Sequence, residues 1–214
     1  MTSAGATCPN CGAPVTFAWA GAVQTSCPFC KSLLVRSDVD LRKVGTVGDF
    51  PATSSPLQVG TTGAFEHRRF TVVGRVVYAY DRGSWNEWCL HMSDGTGAWL
   101  SDARGDYGFS TPVAGHDVPA QSQLKVGANF AWDGRIYKLT AVIAARIRAV
   151  EGDLPFTTWN RTDAVLAELD ANDGHFATLD FRELPPVLML GTWTEFDALQ
   201  LDNLREVDGW RRPA

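Results

Sequence analysis

Hydrophobic and polar residues alternate along most of the chain beyond residue 57, as they do in strands with one buried face. Three segments carry the clearest alternation: residues 70–80, 85–92 and 137–147. In the second segment, Trp88 and Leu90 fall on one face, whereas Glu87 and Cys89 fall on the other. An Asp-Gly-Thr-Gly turn follows at 94–97, so the pattern predicts an antiparallel hairpin.

Two parts of this region have similar sequences that align without a gap. The sequence Leu57-Gln58-Val59-Gly60 recurs as Leu124-Lys125-Val126-Gly127, at an offset of 67 residues. The same offset pairs several later residues without a gap: Phe65 with Trp132, Arg68 with Arg135, Phe70 with Tyr137, Val72 with Leu139, and Val76 with Ile143. The match predicts an internal duplication, with one β repeat at 57–120 and a second at 121–214.

The second repeat contains further elements. A short helix is predicted from Asp163 as its N-cap, with Val165, Leu166 and Leu169 facing inward. Two more strands are predicted at 176–181 and 187–193. The predicted fold is mainly β: an N-terminal ribbon followed by two related small antiparallel sheets or half-barrels.

The first 36 residues contain two cysteine pairs. Cys8 and Cys11, and then Cys27 and Cys30, are each separated by two residues, and 15 residues lie between the pairs. Two such knuckles at the base of a hairpin are typical of a four-cysteine zinc ribbon, which holds one structural zinc and leaves no open position for catalysis. A rubredoxin-like iron site or a redox site is the alternative. Residues 37–56 are rich in Gly, Pro, Ser and Thr and are interpreted as a linker.

Charge narrows the range of partners. The net charge is −5, and residues 151–214 alone carry 5 basic and 13 acidic side chains, a balance of −8. This distribution disfavours nucleic acid and anionic lipid as partners. The start of the chain has neither a cationic segment nor an apolar segment of the secretory type, and no apolar run could span a bilayer. Cysteines in metal spacing indicate a reducing compartment, so we predict a cytoplasmic protein.

One segment could form a binding site besides the metal. Trp85, Asn86 and Glu87, with Trp99 on the returning strand, could offer an aromatic and acidic platform for a peptide, a sugar or a cationic amine. The alternative is that Trp88 and Trp99 are core residues and that Trp85 covers the end of a hairpin. The sequence has no phosphate loop, nucleotide fingerprint, serine elbow or HExxH motif, so no catalytic residues are assigned.

Several motifs together resemble a bacterial family of unknown function, the DUF4178 domain proteins. They are the two knuckles, SPLQVGTTG at 55–63, FTVVGRV at 70–76, WNEW at 85–88, DGTGAWL at 94–100, EGDLPF at 151–156 and FATLDF at 176–181. The resemblance runs from Cys8 to about Leu204, and Asp102 departs from it, because a glutamate is expected there. The resemblance implies association with polyamine-synthesis enzymes, small membrane proteins and membrane-stress proteins of the phage-shock type. It does not point to a particular activity, because the family has no established one.

Three functions follow as hypotheses. The first is a non-enzymatic, zinc-stabilised adaptor that binds protein partners, including membrane-associated ones. The second is a domain that binds or processes a small cationic metabolite of the polyamine kind through the Trp and acidic residues. The third is a nucleic-acid-associated ribbon protein. A pocket joining Trp85, Glu87 and Trp99 would favour the second, and a flat apolar patch would favour the first.

Overall fold

A computed structural model describes residues 6–36, 41–46, 55–158 and 163–207 of the chain. Within these ranges it forms strands and two short 3-10 helices, Gln121–Gln123 and Asp197–Leu199, and no α-helix. Five strands belong to the N-terminal part: β1 (Ala6–Thr7), β2 (Pro14–Val15), β3 (Gln24–Ser26), β4 (Ser32–Arg36) and β5 (Leu41–Thr46). Ten follow: β6 (Thr62–Phe65), β7 (Arg68–Tyr80), β8 (Gly83–Met92), β9 (Gly97–Ala103), β10 (Asp106–Val113), β11 (Asn129–Trp132), β12 (Arg135–Gly152), β13 (Asp163–Asp170), β14 (His175–Asp180) and β15 (Val187–Thr194).

Eight of these strands close into an antiparallel barrel. Their order is β12-β13-β14-β15-β10-β9-β8-β7, and β7 pairs back onto β12. Strands β6 and β11 extend the sheet from β7 and β12 outside the ring. The predicted half-barrels therefore join into one barrel, through β10 with β15 and through β7 with β12. Closure pairs both outer strands of each half with another strand, which leaves no open edge in the ring.

Glycines permit one close contact where the ring closes. Gly74 of β7 pairs with Gly152 of β12. A Cβ on Gly74 would lie 2.0 Å from the carbonyl oxygen of Asp153, and one on Gly152 would lie 2.2 Å from the carbonyl oxygen of Val73. Only glycine fits at these two positions, because any side chain would collide with the neighbouring backbone. Directly after Gly152 the chain leaves β12 and enters the following loop.

The barrel wall buries side chains on both of its faces. One face points into the barrel, where Val76, Cys89, Ile147 and Leu166 belong to one buried cluster. The other face of the first half carries Trp88 and other residues under a layer from outside the ring: Leu57, Leu199 and Leu201. The outer face of the second half packs Tyr137, Leu139, Leu169 and Leu179 in a third cluster. The two-sided burial explains why several strands have long apolar runs as well as alternation.

The two halves repeat the same local hydrogen bonds at the offset of 67. The Gly60 N–H donates to the Val72 carbonyl at 2.8 Å, and the Gly127 N–H donates to the Leu139 carbonyl at 2.8 Å. Phe65 pairs with Arg68 at the end of the first hairpin, as Trp132 pairs with Arg135 in the second. The aligned residues thus occupy equivalent positions. That a duplication produced this match stays a prediction.

Two local predictions are corrected. The helix expected from Asp163 is strand β13, because it fills the gap between β12 and β14. Its even and odd positions are buried on opposite faces of the wall, which a helix could not do. Residues 41–46, expected to belong to a linker, form β5, which pairs with β4 as the third strand of the ribbon sheet. The remainder of the predicted linker up to residue 54 lies outside the described residues.

Among the described residues, no helix reaches the length and apolarity needed to cross a lipid bilayer.

Candidate functional site

The four predicted ligands lie close together in the ribbon. The Sγ atoms of Cys8 and Cys30 are 3.7 Å apart, and those of Cys11 and Cys27 are also 3.7 Å apart. All four lie within 4.8 Å of one another. These separations are far longer than a disulfide bond of about 2.05 Å. They fit a tetrahedral ion, because Zn–S bonds of about 2.3 Å place the sulfurs about 3.8 Å apart. The cluster can therefore hold a metal ion.

The two knuckles have the same backbone. The Gly12 N–H donates to the Cys8 carbonyl at 2.9 Å, and the Lys31 N–H donates to the Cys27 carbonyl at 3.1 Å. Gly12 has a φ of 74° and Lys31 a φ of 58°. Lys31 thus takes the left-handed conformation that glycine provides in the first knuckle. Each turn places its two cysteine sulfurs beside one another.

One loop carries several of the hydrogen bonds that dock the ribbon onto the barrel. We call residues 153–158, which follow β12, the anchor loop. Asp153 accepts hydrogen bonds from the Ala18 N–H and the Thr25 hydroxyl, each at 2.6 Å. The Gln24 backbone exchanges hydrogen bonds with Leu154 at 2.9 and 3.2 Å. A third contact is made by Trp19, whose ring stacks on His91 of β8.

A cavity of about 370 Å³ lies inside the barrel. Residues from seven of its eight strands line it: Tyr78, Glu87, Trp99, Ser101, Ser110, Pro112, Leu166, Thr178, Asp180, Val187 and Met189. The anchor loop contributes Pro155, Phe156 and Thr157, and the turn after β14 contributes Arg182 and Glu183. The lining therefore combines apolar and aromatic side chains with polar and charged ones, as small-molecule sites do.

Glu87 is the acidic group on the β8 side of this cavity. Its Oε1 accepts hydrogen bonds from Trp85 Nε1 at 2.9 Å and from the Ser101 hydroxyl at 2.7 Å. Within the described part of the chain, its Oε2 accepts none. Burial raises the pKa of Glu87 from 4.5 to about 7, and the two neutral donors and the charge of Arg182 offset only part of that rise. The carboxyl group thus changes its charge near neutral pH.

Arg182 and Asp180, two residues apart at the end of β14, form an ion pair in the cavity wall. The Arg182 Nε donates to both Asp180 oxygens, at 3.0 and 2.9 Å, and its Nη2 contacts Oδ2 as well. The guanidinium lies over the Phe156 ring, 4.4 Å from its centroid, and Phe156 in turn stacks on Trp99 at 5.7 Å. This stack joins the anchor loop to β9 at the cavity.

The structure separates the four residues of the predicted platform. Glu87 and Trp99 line the cavity. Trp85 lies behind Glu87, partly buried, and stacks on Tyr78 with ring centroids 5.0 Å apart. Asn86 lies on the opposite face of the wall, where its Oδ1 accepts hydrogen bonds from the Arg75 guanidinium at 2.6 and 3.0 Å.

The outer face holds a second polar cluster that sequence reasoning missed. Arg75 is only 1% exposed, and its guanidinium lies 4.8 Å from the centroid of the Trp88 ring and 3.7 Å from Glu151. Asp102 accepts hydrogen bonds from Trp88 Nε1 at 3.2 Å and from Asn86 at 3.4 Å. Arg75 lies in the centre of an apolar strand. A cation at such a position indicates a buried polar cluster, because a buried charge needs partners, and this was the signal in the sequence.

Sequence reasoning also missed the far wall of the cavity. Asp180 ends an ordinary alternating strand, Arg182 follows it, and Phe156 follows a Pro in a loop. Nothing local distinguishes them from surface residues. Alternation did place Glu87 on the face opposite Trp88, but only the closure of the ring shows that the Glu87 face points inward.

Comparison with known proteins gives one match. A family described as "Domain of unknown function (DUF4178)" matches residues 58–196, which include the whole barrel. The ribbon lies outside the matched segment, so the match is shorter than the resemblance expected from Cys8 onward. No curated protein and no solved structure matches the chain.

Proposed function

The chain belongs to the DUF4178 family of domains of unknown function, and we propose that this member is a small-molecule-binding barrel whose cavity takes an organic amine. One observation carries the proposal: the Glu87 carboxyl group lies in an aromatic cavity and forms no salt bridge among the described residues, while the guanidinium that lines the cavity, Arg182, is paired with Asp180. The proposal corresponds to the second of the three functions predicted from the sequence.

Size supports a small ligand. The cavity volume of about 370 Å³ is within the usual range of ligand pockets, roughly 300–1,000 Å³. The polar groups sit at its wall between aromatic and aliphatic side chains. A ligand with an apolar body and one charged end would satisfy both kinds of surface.

Charge supports a cation. Three carboxyl groups line the cavity, at Glu87, Asp180 and Glu183, against the single guanidinium of Arg182. Arg182 is already paired with Asp180. An ammonium group beside Glu87 would supply a countercharge, and the Trp99 ring in the cavity lining would favour a cation nearby.

A series of matched ligands tests the proposal. At pH 8, hexylamine should bind more tightly than hexanol, and hexanol more tightly than hexanoate, as measured by isothermal titration calorimetry. Glu87→Gln should remove the preference for the amine, and Glu195→Gln, a change at an exposed residue, should keep it. A preference for hexanoate, or no binding of any of the three, would overturn the proposal. Adding 1,6-diaminohexane tests whether the Asp180 side recognises a second charge.

The proposal includes the finer features that the sequence predicted for the ribbon. We assign zinc as the metal, with a structural role, because four thiolates complete a tetrahedral shell and leave no position for a substrate. Four reduced cysteines also suit a reducing compartment such as the cytoplasm. The adaptor function and its protein partners stay predictions, and the cavity gives stronger support to the ligand-binding function.

Elemental analysis tests the metal. The purified chain should contain one zinc per molecule, and Cys27→Ser should lose it, because the remaining three thiolates bind far more weakly. Stoichiometric iron with a visible absorption band would instead identify the rubredoxin-like alternative. Cys89→Ser, which changes the fifth cysteine inside the barrel, should keep the metal.

A further inference from the structure

We propose that the metal ion of the ribbon controls ligand binding in the barrel, through the anchor loop. This inference rests on the proposed ligand-binding function and adds its regulation. The anchor loop has two sides: one is bonded to the ribbon and the other lines the cavity. A change in the ribbon therefore has a direct route to the cavity through this loop, in addition to the contacts that the ribbon makes with β8 and β12.

The ribbon side of the loop is held by polar contacts at three of its residues. Asp153 is held by Ala18 and Thr25, and Leu154 pairs with the Gln24 backbone. The Gln24 side chain then accepts a hydrogen bond from the Thr158 N–H at 2.8 Å and donates one to the Thr158 hydroxyl at 2.9 Å. Gln24, Asp153 and Thr158 are all buried. Losing the partners of buried polar groups is costly, so the loop conformation depends on the ribbon.

The cavity side of the loop supplies part of the wall. Pro155, Phe156 and Thr157 line the cavity. Phe156 lies between Trp99 of β9 and the Arg182 guanidinium. Release of the loop would take this ring out of the wall and would admit water next to Glu87. Both effects weaken the binding of a ligand that is partly apolar.

The ribbon needs its metal to hold this conformation. Its strands are short, and β3, which carries Gln24 and Thr25, has three residues and ends directly before Cys27. Its buried cluster includes two of the ligands themselves, Cys8 and Cys27. In so small a unit the free energy of metal binding is largely the free energy of folding. Removing the metal should therefore loosen β3 and release the anchor loop.

The coupling has a definite sign. Metal should raise the affinity for the amine, and the amine should raise the affinity for the metal by the same factor. A ribbon that loses its metal would thus switch the barrel to a weakly binding form. The size expected for such a coupling is about tenfold, within the usual range for linked sites.

The test compares the full-length chain with and without metal. Hexylamine affinity is measured by calorimetry at pH 8 for the metal-loaded chain and for the chain stripped with a chelator under reducing conditions. Hydrogen exchange is followed at residues 153–158 and, as a control for global unfolding, in β13 and β14. We expect stripping to reduce the affinity about tenfold and to remove protection from the anchor loop, while β13 and β14 stay protected.

A variant that keeps every cysteine separates the metal from the loop. Thr25→Val removes a hydroxyl donor to Asp153, and Thr46→Val makes the same change at an exposed position of β5. The first should weaken hexylamine binding in the metal-loaded chain and reduce the effect of stripping, and the second should do neither. Stripping could also remove the exchange protection of β13 and β14. In that case, the hexylamine affinities of metal-loaded Thr25→Val and Thr46→Val decide whether the anchor loop controls binding.

The outcomes separate the two proposals. Equal affinity with and without metal, together with unchanged exchange in the anchor loop, would overturn the coupling and leave the ligand-binding function intact. Absence of hexylamine binding in the loaded chain would overturn the ligand-binding function. In that case the exchange of residues 153–158 still shows whether the metal orders the loop, and unchanged protection there would overturn the coupling as well.

Discussion

The two faces of the barrel wall each carry a carboxyl group, and these two groups differ in their partners. Glu87 of β8 pairs with Ser101, and Asn86, one residue earlier, pairs with Asp102. Glu87 faces the cavity and has only neutral donors, so burial raises its pKa to about 7. Asp102 faces outward, 5% exposed, in a cluster with Asn86, Trp88 and the Arg75 guanidinium.

The difference indicates that Asp102 has a structural role and that Glu87 is available to bind a ligand. On the outer face, the countercharge and the hydrogen bonds come from the protein itself, so the cluster can hold its charge without a ligand. On the inner face, Glu87 forms no salt bridge among the described residues, and the cation that lines the cavity, Arg182, is paired with Asp180. A carboxyl group with a shifted pKa in a cleft is a candidate functional group, and here the geometry supports the same assignment.

The largest expected effect comes from breaking the outer cluster. Arg75→Met keeps the length of the side chain and removes the cation that pairs with Glu151 and interacts electrostatically with Asp102. We expect the free energy of unfolding to fall by about 3 kcal/mol, the lower end of the usual cost of removing one partner from a buried ion pair, because about a third of the Glu151 side chain is exposed. Chemical denaturation measures it, and Arg148→Met on the exposed side of β12 is the control. A loss below about 1 kcal/mol would mean that the two faces do not differ in this way.

The next effect is on the inner face and has the opposite sign. Between pH 5 and 7 the folded chain keeps a proton on Glu87 that the unfolded chain has released, because the folded pKa is about 7 and the ordinary value is 4.5. The contribution of Glu87 to stability is therefore fully present below pH 4.5 and is lost as the pH rises to about 7. Above that pH, Glu87→Gln should raise the free energy of unfolding by about 1–3 kcal/mol, and near pH 5 it should change little.

Denaturation of both proteins across this pH range measures the difference. Subtracting the curve of the variant from that of the wild-type chain removes the contributions of histidines and of the metal site. If the two curves of unfolding free energy against pH were parallel, Glu87 would titrate at its ordinary pKa. The inner and outer faces would then not differ in how they affect a carboxyl group. The same ionisation sets the pH dependence of binding: amine affinity should rise as the pH increases through about 7.

The two faces also show what sequence reasoning can predict. The metal ligands were predictable because each CxxC pair is one turn, whose geometry is local. The alternation of Glu87 and Trp88 was predictable for the same reason. Which of them faces the cavity was not, because the answer depends on β7 meeting β12 more than 60 residues later. Strand β13 was mistaken for a helix because its Ala, Leu and Glu residues favour helices, and the tertiary pairing on both sides overrode that preference.

The smallest expected effect compares two tryptophans that donate to the two acids. Trp85→Phe removes the Nε1 donor to Glu87 and preserves an aromatic ring against Tyr78, whereas Trp88→Phe removes the Nε1 donor to Asp102. Because hydrogen bonds to a carboxylate favour its charged form, Trp85→Phe should raise the pKa of Glu87 above about 7. The cost in stability at pH 8 should be about 1 kcal/mol.

Carbon-13 NMR titration of the Glu87 carboxyl group measures that pKa directly. Trp88→Phe should leave the Glu87 titration unchanged, because its ring lies on the other face of the wall. It should destabilise the chain more than Trp85→Phe does, because Trp88 is fully buried and Asp102 would lose a donor without gaining water. If Trp88→Phe shifted the Glu87 titration as much as Trp85→Phe, the two acids would form one electrostatic unit across the wall, and the assignment of Glu87 alone to the ligand would fail.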